Sequence, residues 1–168
     1  MGVVNGCRYF YPRMVEAGGV LIVNISSGLA LAPLPGSIPY CTTKYVVVGF
    51  SETLRAEAAR HNIGVTVVCP GFILTNIFRS SRQRTVLPGD KPEDSVVRTE
   101  RLLSRRRCDA RKVAEKVVEA VQKNRGVVPV CWEVHLGGAL HRLSRGLYAR
   151  LLALLTRAWY RGLDGEGT

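Results

Sequence analysis

The chain has 168 residues, 46% hydrophobic and 22% charged, which suits one globular domain with its own core. No apolar run is long enough to span a bilayer, and the start lacks a charged segment leading into an apolar one, so the composition reads as cytoplasmic. The net charge of +11 is uneven: residues 1–78 carry five Lys/Arg against three Asp/Glu, and residues 79–168 carry nineteen against ten. No nucleic-acid motif accompanies that basic half, so it reads as a solvated, arginine-rich exterior.

Residues 2–17 predict a helix with Val3, Val4, Cys7, Tyr11 and Met14 among its apolar positions, ended by Gly18-Gly19. Val20 to Ser26 is a nearly continuous apolar run, as in a strand buried on both faces of a parallel sheet. Gly28, Pro33, Pro35 and Gly36 mark a loop over 28–38. A helix then runs from Pro39 or Tyr40 to about His61, and Val65–Cys69 forms a second strand broken by Pro70-Gly71. Strand, long helix and strand make a βαβ unit.

From Phe72 to Arg107 the pattern predicts a mobile connection with one short helix near Val96 to Leu103. Asp109 is a suitable N-cap for a helix over Ala110–Asn124, with Val113, Val117, Val118 and Val121 inward. Val127–Cys131 predicts a third strand, placed at an edge by Pro129. Leu136 to Leu163 is a basic amphipathic tail of two helices. The five cysteines are odd in number and widely spaced with no C-x-x-C pair. That pattern predicts neither a disulfide framework nor a metal site and suits a reducing compartment.

Tyr40 and Lys44 lie four apart on one helix, so they project from the same face. An ammonium group one turn away stabilises a developing phenolate, which suits the pair to general acid–base work. Ser27 follows the first strand, at the end where ligands bind in open α/β sheets. Its hydroxyl can donate to a substrate oxygen on which charge develops. A Tyr-x-x-x-Lys pair alone usually means a solvated helix face, and Ser-Ser or Pro-Gly alone a turn. The order of all three along one βαβ unit carries the signal.

Val23-Asn24-Ile25-Ser26-Ser27, then Tyr40-Cys41-Thr42-Thr43-Lys44, then Cys69-Pro70-Gly71-Phe72-Ile73-Leu74-Thr75 resemble the short-chain dehydrogenase/reductase family over about residues 2–131. The resemblance implies an α/β, Rossmann-type, doubly wound parallel sheet and alcohol–carbonyl redox chemistry with NAD or NADP. It implies Tyr40 as acid/base, Lys44 as holder of the nicotinamide ribose, and Ser27 as the group orienting the substrate oxygen. Pro70, Gly71 and Ile73 would line the nicotinamide, and Thr75 would contact its carboxamide or the diphosphate. It also implies a homo-oligomer when full length.

No G-x-x-x-G-x-G or G-x-G-x-x-G turn occurs to hold a pyrophosphate. The expectation is a C-terminal catalytic half whose N-terminal cofactor-binding half is missing, inactive alone and open at its first strand's outer edge. The division is a Rossmann part over 1–131 and a helical extension over 132–168. The tail reads as a cover over the pocket, a contact with a partner subunit, or a helix on an anionic membrane surface. A small, lipophilic alcohol or carbonyl is the expected substrate. The alternative function is a non-catalytic interaction module or relic.

Overall fold

A computed structural model describes residues 2–73 and 108–164. Helix α1 covers Gly2–Ala17, strand β1 Leu21–Ile25, and a 3-10 turn Gly28–Ala30. Helix α2 spans Ile38–Ala58, continues into a 3-10 turn at Ala59–His61, and leads to strand β2 at Gly64–Pro70. Helix α3 (Ala110–Gln122), strand β3 (Val127–Val130), and helices α4 (Trp132–Leu143) and α5 (Arg145–Asp164) follow. The expected connection from Phe72 to Arg107, with its short helix near Val96 to Leu103, lies outside the described residues from position 74 on, as does Thr75.

The sheet order is β1-β2-β3, and both pairings are parallel. Leu21 faces Gly64 and Ile25 faces Val68 across the first pair; Val67 faces Val127 and Pro70 faces Val130 across the second. The apolar runs are buried on both pleats because helices cover both faces, and β2 is the central strand of the described sheet. Val65 packs with Ile22, Cys7 and Ala58, and with Phe50 and Leu54 of α2. Val68, on the opposite pleat, packs with Val128, Val130 and Ala120, backed by Val113 and Val117 of α3. Fully burying each such valine is worth about 1.5–3 kcal/mol. Within the described sheet β3 forms one end, where Pro129's missing N–H is tolerated. At the other end β1 has no strand beside it among the described residues, and Ile25 is 47% exposed.

Buried polar ties fix α2 on the sheet. Asn24 Nδ2 donates to Ser51 Oγ at 2.9 Å, and Ser51 Oγ donates to the Val47 carbonyl at 2.6 Å. At the amino end of β2, Arg55 Nη1 donates to Val65 O (2.7 Å) and Asn124 Oδ1 (2.9 Å), and Nη2 to Asn124 O (2.7 Å). One guanidinium thus joins α2, β2 and the turn after α3. Asn124 takes the left-handed φ of 44° that presents both oxygens.

Two expectations need correction. Asp109 caps α3 as expected, accepting from Lys112 N at 2.9 Å, but Val118 and Val121 are exposed. The helix meets the sheet through Val113, Val117 and Ala120; small Ala120 allows close approach, which turns Val118 and Val121 off the contact face. Second, Cys108 and Cys131 form a disulfide across 23 residues, with Cα atoms 5.9 Å apart. The reason is topological: α3 starts, and β3 ends, at the same side of a parallel sheet. Sequence spacing does not reveal that meeting, and the pairing removes the argument from cysteine spacing to a reducing compartment. Cys7, Cys41 and Cys69 are free and buried. Among the described residues no helix is long and apolar enough to cross a membrane.

Candidate active site

A cavity of about 640 Å³ opens at the carboxyl ends of β1 and β2, where α/β sheets bind ligands. Its size is ordinary for a small-molecule site. Ser27, Tyr40, Lys44, Pro70, Gly71 and Ile73 all line it. The sequence-predicted residues within the described chain therefore share one wall system.

Each is positioned by local chemistry. Ser27 is extended (φ −156°, ψ 154°), and its Oγ accepts from Leu29 N at 3.3 Å, capping the 3-10 turn. That bond uses the oxygen as acceptor and leaves the hydroxyl proton available to donate. Neighbouring Ser26 points the other way, and its Oγ donates to the Lys44 carbonyl at 2.8 Å. The end of β1 is thereby tied to the turn of α2 that bears Lys44. Lys44 Nζ reaches the Ile25 carbonyl at 3.5 Å and lies 5.6 Å from the Tyr40 ring centroid, within cation–π range. Tyr40 is 39% exposed at the cavity rim. Burial, partly offset by hydrogen bonding to Ser26, pushes the nearby Cys69 thiol up to about 12. It stays protonated and is packing rather than a nucleophile.

The tail supplies the second wall, in line with its expected reading as a cover over the pocket, though the individual lining residues were not singled out from sequence. Glu133, Val134 and Gly137 of α4 and Tyr148 of α5 also line the cavity. The helix is held there by glycines. A Cβ on Gly28 would run into Val134 Cγ2, and one on Gly71 would come within 3.0 Å of the same atom and 2.8 Å of Glu133 Oε1. A Cβ on Gly137 would meet Ala32 Cβ at 2.9 Å. The available signal was Gly137-Gly138, a costly pair inside an amphipathic helix that marks close backbone approach. Tyr148 is 7% exposed, its hydroxyl donates to the Pro33 carbonyl at 2.9 Å, and its ring meets His141 edge-on with centroids 5.0 Å apart. Burial first, and neighbouring Tyr45 second, push its phenol up, so it remains a donor.

Chemically, the site offers one hydroxyl poised to donate, a phenol beside an ammonium, and an apolar chamber of Leu29, Ala32, Leu34, Phe72 and Val134. The short chain dehydrogenase family model matches residues 1–85. "Probable oxidoreductase EphD" of Mycobacterium tuberculosis is 40% identical over 150 residues, covering 87% of this chain and 24% of that protein. Human "Short-chain dehydrogenase/reductase 3" is 33% identical over 131 residues, covering 76% of this chain and 37% of that protein. A Burkholderia cenocepacia short chain dehydrogenase solved with NADP superposes with a TM-score of 0.64 at 25% identity, covering 90% of this chain and 54% of that one. A Burkholderia phymatum structure solved with NAD shares the fold with a TM-score of 0.72 at 24% identity, covering 87% of this chain and 55% of that one. The chain therefore spans between about a quarter and just over half the length of these relatives. With the family motifs in order along a parallel βαβ frame, this chain belongs to the short-chain dehydrogenase family.

Proposed function

We propose that these residues form the substrate side of an NAD- or NADP-dependent oxidoreductase that interconverts an alcohol and a carbonyl. The observation that carries this reading is the meeting of Ser27, Tyr40 and Lys44 with the Pro70-Gly71 turn around one cavity. The nicotinamide, when bound, accepts or supplies the hydride. Lys44 would hold the ribose diol beside Tyr40, and Pro70, Gly71, Ile73 and Thr75 would line the ring and its amide. Tyr40 takes the hydroxyl proton in oxidation and returns it in reduction, while the Lys44 ammonium stabilises the phenolate. Ser27 donates to the substrate oxygen as negative charge collects there. The apolar chamber favours a small, lipophilic alcohol or carbonyl compound.

No glycine-rich phosphate turn occurs in these 168 residues. The reading therefore assigns this stretch the catalytic half of the fold, inactive alone, with residues 1–131 as Rossmann portion and 132–168 as extension. A homo-oligomer is the proposed form of the active enzyme. That same missing turn favours the second reading, a non-catalytic interaction module.

The two readings separate in a chimera carrying this segment in place of its counterpart in a full-length relative. The chimera is expected to reduce lipophilic aldehydes or ketones with NADH or NADPH, and the 168-residue chain is not. In the chimera Tyr40→Phe should lower kcat by about a hundredfold to ten-thousandfold, the usual worth of a positioned acid–base group. An active chimera indifferent to Tyr40→Phe would overturn the assignment of Tyr40. A folded chimera that binds cofactor but turns over no carbonyl compound would favour the module.

A further inference from the structure

Helices α4 and α5 wall the cavity with one face and leave another bare. On α4, Trp132, Leu136 and Leu143 are 69%, 64% and 85% exposed; spacings of four and seven put them on one stripe. On α5, Leu147, Leu151 and Leu154 are 47%, 40% and 60% exposed, and spacings of four and three put them on one stripe; Leu155, two turns beyond buried Tyr148 and on its side, is 66% exposed. Arg150 and Arg157 stand one turn before and one turn after Leu154, so they border that stripe. From Trp132 to Asp164 there are five arginines and two acids, Glu133 and Asp164.

We infer that the outer face of α4 and α5 docks on an anionic lipid bilayer. Leucines and a tryptophan on one side of a helix, bordered by arginines, suit the boundary between acyl chains and acidic headgroups. A second copy of this chain is the weaker occupant, since a paired stripe would bring like-charged arginine borders together on chains that each carry +11. The length and hydrophobicity of α5 do not allow it to span, so the contact lies along the surface. This surface does not depend on the redox assignment, and it places the wall of the cavity against the membrane.

The test is flotation of the whole chain with vesicles of phosphatidylcholine plus phosphatidylglycerol, against phosphatidylcholine alone. Flotation is expected with the acidic vesicles and should weaken at high salt. Arg150→Glu with Arg157→Glu should lower it by about tenfold or more, and Leu151→Glu, Leu154→Glu and Leu155→Glu together should abolish it with an unchanged circular dichroism spectrum. In a Trp159→Phe background, Trp132 emission should shift to the blue on acidic vesicles; this readout stands even if the leucine variant fails to fold. No flotation, equal flotation on neutral vesicles, or unchanged Trp132 emission would overturn the inference. So would light scattering that shows a dimer dissolved by the leucine substitutions in a chain that ignores vesicles, which would give the stripe to a second copy.

Discussion

The β1–α2–β2 unit and the α4–α5 tail are attached to the same cavity by opposite means. The first is held by buried polar bonds: Asn24 to Ser51, Ser26 to the Lys44 carbonyl, and Arg55 across three elements. Such bonds work only in one arrangement, so they fix positions to a fraction of an ångström. The tail is held by close contact of small residues at Gly28, Gly71 and Gly137, with the Tyr148 phenol as a polar tie to the Pro33 carbonyl. Ser27, Tyr40 and Lys44 sit on the first unit, and Glu133, Val134, Gly137 and Tyr148 of the second close the other side of the cavity.

Three substitutions challenge that contrast. Arg55→Met removes three charge-assisted hydrogen bonds and should cost about 3 kcal/mol, each bond being discounted for partial exposure; calorimetry should show the whole unit melting earlier. A loss confined to α3 would mean that the clamp serves the turn at Asn124 alone. Gly28→Ala drives a methyl into Val134 Cγ2 and should cost about 2 kcal/mol by overpacking. Adding Val134→Ala should recover much of that, and additive losses in the double mutant would show that the two do not share one contact. Tyr148→Phe leaves the ring in place and strips the bond to the Pro33 carbonyl, a loss of about 1 kcal/mol. Hydrogen exchange should quicken in α5 and not in β2; equal quickening in both would erase the distinction between the two regions.

The part of the molecule legible from sequence is the part governed by short-range rules. Tyr40 and Lys44 share a helix face by spacing alone, and Val65 to Cys69 announce a strand covered on both sides. Ser27 falls at a strand end because the apolar run stops there. The tail was legible as a cover over the pocket, but not which of its residues line it, since Val134 and Tyr148 reach the cavity from elements far along the chain. Helical periodicity marks apolar positions without saying which of them a neighbour covers. Val118 and Val121 show this on α3, where Ala120 is the residue that meets the sheet. Cys108 and Cys131 fail for the same reason, since only a closed βαβ crossing brings them together.

That disulfide has a consequence of its own. It joins the residue before α3 to the residue after β3, so the intervening main chain, including the end strand of the described sheet, becomes a covalent ring. Closing a ring of this size restricts the unfolded chain by about 3 kcal/mol. Cleavage of any one peptide bond between Asp109 and Val130 would leave both pieces tethered, each still carrying its share of the wall. While oxidised, the chain on either side of that cut remains one molecule.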